Sequence, residues 1–180
     1  FWSHRDTTAA GIGIILSNSF LARFQNKPRW TIFEEGYLAR LALSGTEGSL
    51  DIWCVYTPSG HGLAKDKAAR LKMTRTIANN CASPQKALTI LAGDWNFVTT
   101  TEGRVCIHSG NFTGSSDNQE ATQVQDTLLT PFNFHELEQD CFTYHHTTSL
   151  SKLDRVYSNH HPCTQLDHKY YCNVLSHSKA

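Results

Sequence analysis

The sequence predicts a single domain of the α/β or α+β class, in which an internal sheet is covered by helices. Short apolar runs alternate with two longer segments in which apolar residues recur at the spacing of a helix. This pattern favours strands and helices interleaved along the chain. The 180 residues include 39% hydrophobic and 11% aromatic side chains, enough for a packed core and too many for a disordered chain. No repeat or low-complexity tract interrupts the pattern. We therefore expect residues 1–180 to form one domain.

The first part of the chain predicts four strands. Gly11 and Gly13 mark places in the first strand where a neighbouring backbone can approach closely. Glu35 and Gly36 provide the tight turn between the second and third strands. The fourth strand ends where Pro58 interrupts an apolar run. The four strands are predicted at residues 10–16, 30–33, 37–43 and 50–56.

The second part of the chain alternates helices with strands. A helix opens at residues 60–63 and runs to residue 81, because apolar side chains recur on one face. A second helix covers residues 120–130 and ends at Pro131, after a loop rich in Gly, Ser and Asn at residues 107–118. Residues 87–92 are almost wholly apolar, as expected for a strand buried on both faces. Further strands are predicted at residues 142–146, 152–157 and 172–175.

Composition narrows the classes of protein that fit. Sixteen basic side chains balance sixteen acidic ones, so the chain as a whole has no charge that attracts nucleic acid or an anionic membrane. The longest strongly apolar run, residues 12–16, is far shorter than the about 20 residues of a membrane span. Residues 1–6 do not resemble a signal peptide and begin with Phe, which indicates a piece of a longer chain. Any phosphate chemistry must therefore come from a local site.

The cysteines and histidines do not form a metal-binding pattern. The six cysteines contain no CxxC pair, which favours reduced thiols in an intracellular protein, cytoplasmic or nuclear. At two places in the sequence two histidines are adjacent, and adjacent residues on a strand point to opposite faces. The ten histidines are therefore interpreted as polar surface residues rather than zinc ligands.

Polar side chains at the ends of buried strands are the best candidates for a functional site. Tyr56 ends one strand, and Asp94 and Asn96 follow another, two residues apart. Asp154 stands inside an apolar strand, where a buried carboxylate needs a partner such as a histidine. On spacing alone, Asp94 and Asn96 are equally typical of an Asx-type turn after a strand.

The first helix carries a set of basic residues that allows two interpretations. They could contact a phosphate backbone, or they could form a solvated helix face, which is the more common arrangement. The set comprises Lys65, Lys67, Arg70, Lys72 and Arg75.

Four motifs together resemble one family. Leu-Ala-Gly-Asp-Trp-Asn-Phe-Val at residues 91–98 resembles the Gly-Asp-Phe-Asn signature of the endonuclease/exonuclease/phosphatase superfamily, which has the deoxyribonuclease-I-like fold. In the family's order, residues 11–16 are similar to its early Gly-rich strand and residues 55–60 to its Tyr-x-Pro segment. Residues 142–144 and 151–157 resemble its Thr-Tyr and Arg-Leu-Asp-Arg block. The Leu-Asp-Arg-Val-Tyr run is most similar to the endonuclease domains of non-LTR retrotransposons.

The resemblance implies a fold, a reaction and a role for each candidate residue. The family folds as a four-layer α/β sandwich, with two mixed sheets face to face and helices outside, and it cleaves phosphate esters with Mg²⁺. Carried over to this chain, Asp94 would activate the attacking water, Asn96 would hold the water and the phosphate, and Tyr56 would approach the phosphate. Asp154 would orient His177, which would lie close to the phosphate. DNA would be the substrate and partner.

The chain departs from the family at its metal-binding positions. The family has an Asn and a metal-binding Glu upstream of the Gly-rich strand, and nothing before Gly11 matches them. The family also has an Asp before the C-terminal histidine, where this chain has Ser176 before His177. We therefore expect a domain that lacks the first strands and also the last, with an incomplete Mg²⁺ site whose ligands are unknown. An open sheet edge in such a domain would favour self-association.

Three hypotheses about function follow from these residues. The first is a metal-dependent phosphodiesterase that nicks DNA in the intact parent protein. The second is a non-enzymatic remnant that binds nucleic acid or another protein. The third is a phosphatase of lipid or sugar phosphates. A structural zinc protein fits less well, because no Cys/His pair has suitable spacing.

Overall fold

A computed structural model of the chain describes residues 1–5, 10–59, 64–114 and 118–159. The strands are β1 (Trp2–His4), β2 (Gly11–Gly13), β3 (Arg29–Glu34), β4 (Leu38–Gly45), β5 (Gly48–Tyr56), β6 (Leu88–Asp94), β7 (Arg104–Cys106), β8 (His135–Glu136), β9 (Tyr144–His145), β10 (Ser149–Ser151) and β11 (Asp154–Ser158). The helices are α1 (Asn18–Leu21), α2 (Ala64–Asn80) and α3 (Asn118–Val124), with a 3-10 turn at Thr101–Gly103 and a π-helical turn at Gln125–Leu129.

A six-stranded mixed sheet forms the centre of the fold. Its strand order is β3-β4-β5-β6-β11-β8. Only β5 and β6 pair in parallel among the described strands; their other neighbours are antiparallel. A parallel pair needs a crossover connection, and α2 provides it. The carboxyl ends of β5 and β6 therefore lie at the same edge of the sheet.

One face of the sheet is covered by α2, α3 and the π-helical turn. Trp53, Leu91 and Tyr157 from the sheet pack there against Ile77 of α2 and Leu128 of the π-helical turn, and all five are at most 1% exposed. Phe33 stacks on Trp53 with ring centroids 4.9 Å apart. Burial of these large apolar side chains is the main stabilising contribution on this face.

The opposite face is covered by α1 and the two-stranded ribbon of β1 and β2. Ile14, Leu41, Leu43 and Leu50 form a second core cluster there. The Cys54 thiol donates a hydrogen bond to the Gly13 carbonyl oxygen at 3.3 Å, which links the ribbon to β5. The sheet is therefore enclosed between helices on one side and a ribbon on the other, and the predicted α/β class is confirmed.

A second, three-stranded sheet lies beside the carboxyl end of β6. Its order is β7-β10-β9, with antiparallel pairing throughout. At the opposite side of the molecule, no strand among the described residues pairs with the outer edge of β3. Self-association through an open edge stays a prediction.

Several predicted elements are shorter in the structure. Residues 10–16 were expected to form one strand, but β2 ends at Gly13 and Ile15 is 97% exposed. The helix predicted at residues 120–130 is α-helical only to Val124, and the amide of Thr130 then bonds to the Gln125 carbonyl at 2.9 Å, five residues back. The strand predicted at 142–146 is reduced to Tyr144–His145. The strand predicted at 172–175 lies outside the described residues.

The described cysteines are free, and the described helices contain no membrane span. Cys54, Cys81, Cys106 and Cys141 are free thiols, as expected, whereas Cys163 and Cys172 lie outside the described residues. Among the helices that the structure describes, none is both long and apolar enough to cross a membrane.

Candidate active-site cleft

Three of the predicted site residues meet at the carboxyl edge of the parallel strand pair. Tyr56 and Asp94 are register partners at the last positions of β5 and β6. Asn96 follows two residues later, and all three side chains line one open cleft of about 800 Å³. The meeting of Tyr56 and Asp94 follows from the parallel register, since both strands end in the same direction. This part of the predicted site is thus assembled as one unit.

Gly93 allows the two strands to approach where the cleft begins. Its φ of +149° lies in a region that L side chains rarely adopt. A Cβ atom built on Gly93 would lie 1.7 Å from the carbonyl oxygen of Val55. Glycine is therefore required next to Asp94 for a steric reason that is independent of the chemistry.

The segment after β6 is an Asx-type turn that also points polar groups into the cleft. The amide of Asn96 donates to Asp94 Oδ1 at 2.8 Å, and Asn96 has a φ of +51°. Asn96 Nδ2 donates to the carbonyl oxygen of Thr57 at 2.6 Å. Asp94 and Asn96 can therefore form an Asx-type turn and also serve as site residues, because the turn fixes both side chains at the cleft.

Partial burial changes the proton affinities of the two ionisable groups. Burial raises the pKa of Asp94; the amide of Asn96 opposes this, and the charge of Asp154 adds to it. Burial also raises the pKa of Tyr56, with a further contribution from the charge of Asp94. Tyr56 thus remains a protonated hydroxyl at neutral pH and can donate a hydrogen bond. The raised pKa makes the Asp94 carboxylate better suited to accept a proton as a general base.

Asp154 lies beside the cleft, but the expectation that its carboxylate is buried is wrong. It is the first residue of β11 and is exposed, because the alternating pattern places Arg155 and Tyr157 inward instead. Its Cα is the register partner of Asp94 on the neighbouring strand. Thr143 Oγ1 accepts bonds from the amides of Leu153 and Asp154 at 3.1 and 3.0 Å and so fixes the chain just before the strand.

The other wall of the cleft consists of residues to which the sequence analysis gave no role in a site. They come from the three-stranded sheet and its turns: Arg104, Tyr144, His146, Thr148, Ser149 and Ser151. Arg104 Nε donates to Ser151 Oγ at 3.1 Å, which places a cation on this wall. Tyr144 had been noted only as part of a motif, and His146 only as a surface histidine. No local pattern around Arg104 indicated a site, because its position depends on the pairing of β7 with β10.

The basic residues of α2 do not form one phosphate-binding row. Arg70 is buried at 5% exposure and pairs with Glu120 of α3. Lys72 forms an exposed pair with Glu34 at 3.7 Å. Lys65 and Arg75 are exposed. The exposed positions of Lys65, Lys72 and Arg75 fit a solvated helix face, whereas the expectation that Arg70 shares that face is wrong.

The described residues do not supply a metal centre on their own. No group of three or more His, Cys, Asp or Glu side chains suited to a metal ion is present in the described part of the chain. Asp94 and Asp154 offer two carboxylates on adjacent strands. Mg²⁺ is commonly held by one or two carboxylates together with water and substrate phosphate oxygens. His177 lies outside the described residues.

Comparison with known proteins gives structural likenesses at low sequence identity. No family model matches the chain, and no curated protein matches it. The endonuclease domain of TRAS1, a telomere-specific non-LTR retrotransposon, is similar at 15% identity and a TM-score of 0.47, covering 74% of this chain and 55% of that one.

Two further solved structures are similar to a comparable extent. Humanized TDP2 of D. rerio, carrying 14 mutations, has 12% identity and a TM-score of 0.48, covering 74% of this chain and 50% of that one. An AP endonuclease from Archaeoglobus fulgidus has 11% identity and a TM-score of 0.49, covering 74% and 59%. The match spans between half and three fifths of each of the three solved chains.

Proposed function

We propose that the cleft binds DNA and hydrolyses its phosphodiester bonds. The observation that carries the proposal is the convergence of Tyr56, Asp94 and Asn96 on one cleft whose opposite wall holds Arg104. A hydroxyl donor, a carboxylate, an amide and a cation are the groups that an in-line displacement at phosphorus requires. The four ordered motifs, which resemble those of phosphodiester-cleaving enzymes, support the same proposal.

Each residue has a distinct role in this reaction. Asp94 accepts a proton from the attacking water, for which its raised pKa is suited. Asn96 orients the water and a phosphate oxygen, while the Tyr56 hydroxyl donates a hydrogen bond to a non-bridging oxygen. Arg104 offsets the negative charge that develops on the phosphate. Asp154 and His177 take the orienting and phosphate-contacting roles that the family resemblance implies.

The test is a nicking assay with supercoiled plasmid DNA, carried out with Mg²⁺ and repeated with EDTA. The chain should convert supercoiled to relaxed plasmid, and Asp94→Asn should lose that activity. Glu47→Gln is the matched control, because Glu47 is an exposed carboxylate in the turn between β4 and β5, outside the cleft. Equal nicking by Asp94→Asn and the unsubstituted chain would overturn the proposal. Lipid and sugar phosphates assayed alongside would reveal a phosphatase instead.

The second candidate function is nucleic-acid binding without hydrolysis. The specific observation in its favour is that the described residues contain no group of three potential metal ligands. This function predicts that the chain shifts a DNA oligonucleotide in a binding assay and that no nicking appears with Mg²⁺ or Mn²⁺. Nicking above the Asp94→Asn background would exclude it.

A further inference from the structure

The loop that follows Tyr56 is held on one side by the end of β6. The amide of Thr57 donates to the Asp94 carbonyl at 2.9 Å, and Thr57 Oγ1 donates to the Trp95 carbonyl. Asn96 Nδ2 in turn donates a hydrogen bond to the Thr57 carbonyl oxygen at 2.6 Å. Thr57 is 2% exposed, so this side of the loop is fixed in a dry environment.

The other side of the same loop is held by a buried ion pair between two helices. Arg70 of α2 contacts Glu120 of α3 through two bonds, from Nε to Oε1 at 2.6 Å and from Nη2 to Oε2 at 3.2 Å. The third nitrogen of the guanidinium, Nη1, donates to the carbonyl oxygen of Pro58 at 2.7 Å. Arg70 and Glu120 are 5% and 7% exposed.

The geometry of the guanidinium makes this arrangement specific to arginine. Its planar fork presents two parallel donors to a carboxylate and leaves a third donor at a fixed angle. Glu120 fixes the plane of the fork, and the fixed plane sets the position of Nη1 and therefore of Pro58. A buried ion pair is in itself weak evidence of stabilisation, since desolvation of both charges offsets much of their attraction.

We propose that the Arg70–Glu120 pair positions Tyr56 in the cleft by anchoring the carbonyl of Pro58. Arg70 and Glu120 do not line the cleft and act only through the segment Thr57–Pro58, so they are positioning residues. The inference rests on the proposed function for its catalytic consequence. Its structural part, that the pair sets the environment of Tyr56, stands apart from any reaction.

The decisive variant replaces both members of the pair with apolar side chains. Arg70→Met combined with Glu120→Leu removes both buried charges together, a change that often leaves stability the same or higher. It also removes the donor to Pro58. A purely structural pair, which only joins α2 to α3, predicts that this double variant leaves Tyr56 unaffected.

The first readout is the titration of Tyr56, followed by ¹³C NMR of tyrosine labelled at Cζ and assigned with Tyr56→Phe. Burial raises the pKa of Tyr56. Tyr56 stacks on Tyr37 with ring centroids 5.6 Å apart, and both rings share one pocket with Pro58. Release of the loop should open that pocket to water, so the titration midpoint should move down toward the ordinary tyrosine value. An unchanged midpoint in a folded double variant would overturn the inference.

The second readout is the rate of phosphodiester hydrolysis on a short DNA duplex. The double variant should lose about tenfold or more in kcat with KM nearly unchanged, because misplacement of a catalytic group affects the transition state more than substrate binding. An unchanged kcat in a chain that is active would contradict the inference. If the unsubstituted chain is inactive, the proposed function has failed, and the Tyr56 titration still decides the positioning role.

A second variant tests the same inference in case the double variant does not fold. Arg70→Lys keeps a cation beside Glu120 but has a single nitrogen, which cannot serve the carboxylate in two bonds and Pro58 at once. It should shift the Tyr56 titration in the same direction. Glu47→Gln is the control for charge removal at an exposed position and should leave the titration unchanged.

Discussion

Asp94 and Asp154 face each other as register partners on the antiparallel strands β6 and β11. Burial is the larger cause of the raised pKa of Asp94, and the charge of Asp154 adds to it. The folded chain therefore holds a proton on Asp94 more tightly than the unfolded chain does. By linkage, this carboxyl contributes stability only at low pH, and the contribution is lost as the pH rises through the folded-state pKa.

Replacement of Asp94 by Asn should therefore stabilise the fold at pH 7. Asn keeps an oxygen that accepts the Asn96 amide and removes the partly buried charge, so the melting temperature at pH 7 should rise. The gain should vanish below pH 3.8, the unperturbed pKa of the group. Thermal unfolding from pH 3 to 8 measures this, and a lower melting temperature for Asp94→Asn at pH 7 would contradict it.

Alanine at Gly93 should disrupt the junction of β5 and β6. The new Cβ would clash with Val55 O, so the free energy of unfolding should fall by more than about 3 kcal/mol. Gly48→Ala is the matched control, because Gly48 has a similar φ of +134° and nothing within 4 Å of the added carbon. It should lose only about 1 kcal/mol from backbone strain. Urea unfolding of both variants separates the clash from the strain, and equal losses would refute the steric argument.

Removal of the Arg104 charge should weaken DNA binding in a salt-dependent way. If Arg104 neutralises one phosphate, Arg104→Gln should reduce the slope of log K against log salt by about 0.7–0.9. Arg23→Gln is the control, since Arg23 is exposed beside a different pocket at α1. Fluorescence anisotropy with a labelled oligonucleotide measures both slopes. An identical loss for the two variants would point to general charge rather than a cleft contact.

Thr143→Val should loosen the start of β11. The substitution removes the oxygen that accepts the amides of Leu153 and Asp154, at a cost of about 1–2 kcal/mol in unfolding free energy. Thr147→Val, at an exposed turn position, should cost little. Hydrogen exchange should show faster exchange at those two amides in Thr143→Val alone. Protection that stays as in the unsubstituted chain would show that Thr143 does not hold them.

Part of the site could be predicted because the sequence shows where two of the strands end. The apolar runs before Tyr56 and Asp94 fix where the strands stop, and the two strands end at the same edge once they pair in parallel. In the sequence, Gly93 is recognised only as part of a motif. The structure shows that its close contact with Val55 leaves no room for a larger residue at this position.

The rest of the site depends on pairings that a local pattern does not reveal. Arg104 enters the cleft only because β7 pairs with β10, where its register partner is Ser151, 47 positions later in the chain. Asp154 is expected inside because it belongs to an apolar strand, yet the strand alternation exposes it and buries Arg155. Arg70 was grouped with solvent-facing bases, and its contact with Glu120 bridges 50 residues.

The parallel pairing of β5 with β6 also sets when the cleft can form during folding. Tyr56 and Asp94 come together only after the chain between them has made its helical crossover and returned to the sheet. Contacts with such separation in sequence pay loop-closure entropy first and form later than local hairpins such as β4–β5. A nascent chain that stops before β6 therefore holds Tyr56 without its partner Asp94, and the opposite wall with Arg104 follows only when β10 has paired with β7.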